Sequence, residues 1–481
     1  MIYKRNIAAI SLIALVSIYA QCNKSANPGS STPPKPTSPG GSYLMVWATK
    51  ADSSVLLKKV NTVPFVPGTA TDPVIHVDTT QSFQGIDGFG YTLTGGSATL
   101  INQLNPSVKT ALLQELFGHN ENSISVSYLR LSVGASDLDP AAFSYNDLPA
   151  GQTDIDQEKF SIAPDKKDLI PVLKSILAIN PKIKILASPW SPPAWMKDNG
   201  ATKGGSLKTA YHQSYAKYFV KYIQAMKAEG IIIDALTIQN EPLHPGNNPS
   251  LLMLADQQRD FIKDALGPAF NAANIKTKIV LYDHNLDRPD YPISILNDPE
   301  AKKYIDGSAF HLYAGNVSAM SQVYNAHPDK SLYFTEQWTG STGNFSGDLK
   351  WHTKNVIIGT MKNWSRVALE WNLASDPAYK PHTPGGCTQC KGALTINGDY
   401  VNRNVGYYII AHASKFVPDG SKRIASSELE GLSNVAFVTP QGKKVLLVLN
   451  EQNNDKDFFI SFNGKQASYT LAANTVATMV W

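Results

Sequence analysis

Cysteine is scarce here, at three residues among 481. Charge of one sign is equally short: 43 Lys and Arg stand against 39 Asp and Glu, a formal net charge of +4. That balance excludes the basic footprint of a nucleic-acid-binding protein and suits an uncharged partner. Charged residues make up only 17% and hydrophobic residues 43%, so a mostly disordered chain is excluded as well. No Gly-rich loop with Lys and Ser/Thr follows a strand, and there is no GxSxG elbow and no HExxH helix, which sets aside phosphate-loop, serine-hydrolase and zinc-protease chemistry. Long apolar runs are missing too, apart from Ile7 to Ala20, behind Lys4 and Arg5. That run is short for a membrane span and has the length of a signal-peptide core.

What is present begins with that leader, residues 1–21. Cys22 follows it and resembles the lipid-acceptor Cys of bacterial lipoproteins, with plain secretion as the alternative. From Asn23 to Ser42, Pro, Gly, Ser and Thr fill 15 of 20 positions, a composition that buries no core and reads as a tether. Residues 22–42 are therefore expected to hold an extracytoplasmic domain at the outer membrane, the lipid anchor being its sole membrane contact. The other two cysteines, Cys387 and Cys390, lack the paired His of a four-ligand zinc site. Outside the cytoplasm they read as a local disulfide or two free thiols.

The mature chain changes rhythm twice. Tyr43 to Val77 and Val435 to Trp481 carry short strand patterns, and each end alone has too few strands to bury a face, so residues 43–80 and 410–481 are expected to form one β-sandwich. Between them, residues 81–409 alternate apolar strands with helical spacing. The strands are expected at Gly85–Thr94, Ser127–Val133, Ile183–Trp190, Ala235–Glu241, Ile279–Asn285, Gly307–Tyr313, Ser331–Trp338 and Arg366–Leu373, which makes an α/β chain with a (β/α)8 barrel. Six of these strands begin apolar and end in clusters of Glu, Asn, His, Asp, Tyr or Trp, the gradient expected where barrel strands open onto an active face.

Two of the strand ends carry carboxylates, Glu241 in LTIQNEP and Glu336 in LYFTEQW, across the barrel mouth from each other. A carboxylate pair facing over a cleft is the minimal equipment for glycoside hydrolysis. Trp190, Trp195, Trp338 and Trp371 lie at or near strand ends, where rings stack on sugars. Asp283, His284 and His311 lack metal-ligand spacing, so neither a metal nor a cofactor is expected.

The segments QGIDGFGYTLTGGSA, ILASPWSPPAWMKDNG, LTIQNEP, FHLYAG, LYFTEQW and ALEWNL run in order from Gln84 to Leu373 and resemble glycoside hydrolase family 30, the family of glucosylceramidases and β-1,6-glucanases. The resemblance implies a retaining β-glycosidase with Glu241 as acid/base and Glu336 as nucleophile. It implies that Asn240 orients the sugar 2-hydroxyl and that Trp190, His311, Tyr313 and Trp371 line the sugar site, with Trp338, Asp283 and His284 beside them. Gly95 in FGYTLTGG stands where the resemblance aligns an Asp of the glucosylceramidases, and QNEPLHPGNNPS is closer to the β-1,6-glucanases. The expected substrate is β-1,6-glucan, with glycolipid hydrolysis and non-catalytic glycan binding as the alternatives. Glu241 is expected to start protonated, its pKa raised by burial and by Glu336.

Overall fold

The computed structural model describes residues 42–481; the leader, Cys22 and the tether up to residue 41 lie outside the described residues. Eight parallel strands close into a barrel. They are β1 (Gly88–Thr92), β2 (Tyr128–Val133), β3 (Lys184–Pro189), β4 (Ala235–Thr237), β5 (Lys278–Leu286), β6 (Ile305–Gly315), β7 (Ser331–Glu336) and β8 (Ser365–Asn372). Each falls within or nearly within the stretch expected for it. The connecting helices include Pro106–Phe117, Leu169–Ile179 and His212–Ala228, which cover the outer face.

The period of two along each strand sorts the side chains. Leu129, Leu131, Ile185, Leu236, Leu281, Phe310 and Phe334 point outward into the core shared with the helices. Inside, Tyr128, Leu186, Ala235, Val280, Ala309, Tyr333 and Val367 form an apolar plug. Two residues further along β2, β3, β4, β6 and β7 come Arg130, Ser188, Thr237, His311 and Thr335, all buried and polar. The barrel is thus oily below and polar at the layer under its mouth.

Both chain flanks build the sandwich. Tyr43–Lys50 pairs antiparallel with Thr475–Val480, while Val74–Gly85 pairs with Lys422–Ser426 along one part and with Lys456–Phe462 along another. The expected boundaries at residues 80 and 410 fall inside elements, namely strand Val74–Gly85 and helix Val405–Ser414. The helix is tied to the paired strands Tyr43–Lys50 and Thr475–Val480: His412 bonds Thr478 through Nδ1 at 2.9 Å and Thr49 through Nε2 at 2.8 Å, and burial lowers its pKa to about 3. Strand Lys444–Asn450 sends Val445, Leu447 and Leu449 toward the barrel core, and Leu446 and Val448 toward the sandwich core. A sheet pressed on both faces reads as a continuous apolar run, here KVLLVLN, rather than as strict alternation.

Candidate active site

Arg130, the one charge in the buried run of β2, organises the polar layer. Its guanidinium donates from Nη1 to Glu336 Oε2 at 2.5 Å, and from Nη2 to Asn240 Oδ1 at 2.7 Å and Asp283 Oδ2 at 2.8 Å. The indoles of Trp190 and Trp371 stack on each other with centroids 5.4 Å apart, and the guanidinium carbon lies 4.9 and 5.7 Å from those rings. A planar cation with several donors suits this position better than lysine would.

Asp283 is the anchor beneath. It also accepts from Ser188, Thr237 and Thr335 hydroxyls at 2.6–2.8 Å. Burial raises its pKa, but Arg130 and His311 outweigh that and hold it well below the usual carboxylate range. Around it the backbone adopts left-handed conformations at Glu241 (φ 46°), Tyr282 (φ 72°) and Asp283 (φ 69°). These are costly for non-glycine residues and cluster at functional sites. They are locked together, since Glu241 N–H donates to the Asp283 carbonyl at 3.0 Å and Asn240 N–H to that of Pro189 at 2.7 Å.

His311 bridges the layer. Its Nε2 lies 3.0 Å from Asp283 Oδ1, and its Nδ1 lies 3.3 Å from Glu241 Oε1 and 3.8 Å from Glu336 Oε1. One ligand-type atom from each of Glu241, His311 and Glu336 falls within 4.8 Å of the others. A cation could meet all three, but Arg130 already neutralises Glu336, and the Tyr313 hydroxyl donates to Glu336 Oε1 at 2.9 Å.

The protonation pattern differs from the expectation for Glu241. Burial raises that carboxyl, yet the hydrogen bond and charge of His311 bring it below its ordinary value. Burial opposes a charged imidazole, but Glu336, Asp283 and Glu241 hold His311 up at about 9. One proton therefore belongs to the Glu241–His311 pair jointly, resting on the Nδ1 side. Glu336 is raised by burial, against His311 and Arg130. Its two oxygens nevertheless accept from Arg130 and Tyr313, the pattern of an ionised group at neutral pH.

Above this layer opens a cavity of about 320 Å³ lined by Asn240, Glu241, Glu336, Trp190, Trp338, Trp371, Tyr313 and His284, eight of the ten residues expected at the sugar site. The other two, Asp283 and His311, are fully buried below the lining, because ion pairs and hydrogen bonds consume them. Trp195 is absent from the lining as well; its indole donates to the Asn146 carbonyl at 2.9 Å and packs on Tyr211. Burial lowers His284 to about 4, so it is neutral.

Sequence reasoning missed Arg130, Asp137, His244, Asn247 and Asn285, the last four of which line the cavity. Asp137 is 4% exposed, and its Oδ2 accepts the Cys387 N–H at 3.1 Å. Burial, with Glu336 next, raises it to about 6. Gly95 is explained by its neighbour: a Cβ there would sit 1.7 Å from Asp139 Oδ1. The glycine therefore leaves room for one carboxylate while Asp137, two residues earlier, faces the cavity. The signal for Arg130 was available, as a lone charge inside YLRLSV.

Residues 86–417 match the glycosyl hydrolase family 30 TIM-barrel domain, and residues 420–479 match that family's β-sandwich domain. The chain is 34% identical over 445 residues to the endo-1,6-β-D-glucanase neg1 of Aspergillus fumigatus, covering 86% of this chain and 89% of that protein. It is 31% identical over 417 residues to the lysosomal acid glucosylceramidase of Mus musculus, covering 82% and 80%. Among solved structures, the endo-β1,6-glucanase BT3312 superposes with a TM-score of 0.84 at 35% identity, over 91% of this chain and 99% of that one. Two domain matches in the right order, on a closed barrel with a carboxylate pair at its mouth, place the chain in glycosyl hydrolase family 30.

Proposed function

We propose that this glycoside hydrolase cleaves β-1,6-linked glucan with retention, through a covalent glycosyl-enzyme intermediate. The observation that carries the reading is the spacing of Glu241 and Glu336, one oxygen of each within 4.8 Å. That matches the roughly 5–5.5 Å carboxyl separation of retaining enzymes, whereas inverting ones need about 6.5–9.5 Å to admit a water. Glu336, ionised and held by Arg130, attacks the anomeric carbon. The bond to the leaving oxygen breaks as that oxygen takes the pair's one proton from Glu241, to which His311 Nδ1 passes it. In the second half, water gives a proton back to the Glu241–His311 pair and its oxygen displaces Glu336, restoring both groups.

Asn240 spends its carbonyl oxygen on Arg130, which leaves its amide N–H groups for the sugar 2-hydroxyl. Asp137 accepts hydroxyls at another point of the same ring, and Trp338, half-buried, offers an aromatic face. The β-1,6 preference is supported by the similarity to endo-1,6-β-glucanases over most of the chain. Upstream, the leader, Cys22 and the Pro/Ser/Gly-rich stretch favour export and a lipid-anchored, extracytoplasmic enzyme; radiolabelled palmitate incorporation lost in Cys22→Ser tests that reading.

The main test follows hydrolysis of β-1,6-gluco-oligosaccharides by NMR. The β-anomer should appear first, and Glu336→Gln should abolish turnover while the fold persists. First release of the α-anomer, or near-normal turnover in that variant, overturns the mechanism. Faster cleavage of glucosylceramide than of β-1,6-glucan overturns the substrate preference.

A further inference from the structure

Cys387 and Cys390 are joined by a disulfide in the loop after β8, and both line the cavity. That loop is fastened to three others at the barrel mouth. Thr383 N–H donates to the Asp137 carbonyl at 2.9 Å, the Asn248 side chain to the Pro384 carbonyl at 2.9 Å, and Thr339–Gly340 pairs with Cys390–Lys391. Cys390, 5% exposed, packs with Leu138, Trp190 and Trp371, and Trp338 and Cys387 border the same cluster. Polarisable sulfur beside indoles is a favourable contact. The Cys387 N–H is the donor that fixes Asp137 Oδ2.

A bridge across a sequence separation of three closes too small a loop to remove much chain entropy, so global stability explains its location poorly. We propose that the Cys387–Cys390 disulfide is a positioning device of the sugar site. It holds the backbone donor that aims Asp137 and braces the aromatic cluster, so substrate affinity depends on it more than the fold or the chemical step does. The proposal deepens the glycosidase reading and rests on it.

The test is kinetic, on the full-length protein with β-1,6-gluco-oligosaccharides. In Cys387→Ser/Cys390→Ser, KM should rise about tenfold with kcat within about twofold and the melting temperature nearly unchanged. A dithiol applied to the wild type, reducing the bridge to two thiols as the dithiol is oxidised, should reproduce that KM. Because the bridge acts through Asp137, the two perturbations should couple: Asp137→Asn should lower kcat/KM about 100-fold in the wild type but only about tenfold without the disulfide. Additive losses, an unchanged KM, or a large fall in melting temperature accompanying equal changes in kcat and KM each overturn the proposal. Wild type that fails to turn over these oligosaccharides refutes the β-1,6-glucanase reading instead, so the two failures are separable.

Discussion

Replacing Arg130 by Met removes the cation at the centre of the site while keeping most of the side chain's volume. Asp283, fully buried, would lose its ion pair at 2.8 Å and Glu336 its pair at 2.5 Å. Stripping one partner from a buried pair costs about 3–5 kcal/mol, so the variant should melt at a clearly lower temperature. The kinetic effect follows from Glu336, which must be ionised to attack and is already raised by burial. At an effective dielectric of about 20, a unit charge at about 4 Å is worth about 4 kcal/mol, equivalent to about 3 pH units. Losing the cation therefore moves the acidic limb of kcat/KM toward alkaline pH, by up to about that amount, with lower activity at neutral pH. The assay is a pH profile on an activated aryl β-glucoside, beside a thermal melt. Arg130→Lys should fall between, since one ammonium cannot reach three acceptors. A folded Arg130→Met variant with an unmoved acidic limb would refute the argument.

Other consequences are open to measurement. In His311→Asn the shared proton loses its stronger site, so the alkaline limb of the pH profile should move to lower pH and kcat fall about 100-fold; an unmoved alkaline limb would show that Glu241 holds the proton alone. Gly95→Ala drives a Cβ against Asp139 and should cost about 1–3 kcal/mol of stability, recovered in part by Asp139→Ala; a wild-type melt for the single variant contradicts the packing. Burial raises Asp137 to about 6 and Asp139 and Asp165 to about 7. The fold therefore binds these protons more tightly than the unfolded chain, whose Asp pKa is about 3.9. Their contribution is most favourable below about pH 4 and is lost as pH rises through 6 to 7. Thermal melts should drop between pH 5 and pH 8, with a shallower slope in Asp165→Asn, and a melting temperature that climbs over that range would contradict the sign.

Much of this was legible in the sequence because barrel strands leave two separate marks, an apolar body and a polar end. The body located β1 to β8, and the ends delivered Asn240, Glu241 and Glu336. The polar layer inside the barrel was harder to see. Ser188, Thr237 and Thr335 are ordinary strand residues until the closed sheet brings them around Asp283, and period two puts Arg130 among them only once the plug beneath is known. The apolar pattern extends β4 to Glu241, but the strand ends at Thr237, four residues before the left-handed backbone at Glu241. Asp137 escaped because nothing local marks it; its meaning comes from Cys387, 250 residues away.

The pairing of Tyr43–Lys50 with Thr475–Val480 carries a consequence for the chain as a string. Met45 stands opposite Val480 and Lys50 opposite Thr475, so the first described strand and the last lie side by side and the described part of the chain is nearly a closed loop. With residues 1–42 removed, a short linker from Trp481 to Tyr43, with new termini cut in an exposed barrel loop such as that around Gly151, should yield a circular permutant with its catalytic mouth intact. By the same closeness, a fusion partner attached after Trp481 would sit beside the start of Tyr43–Lys50.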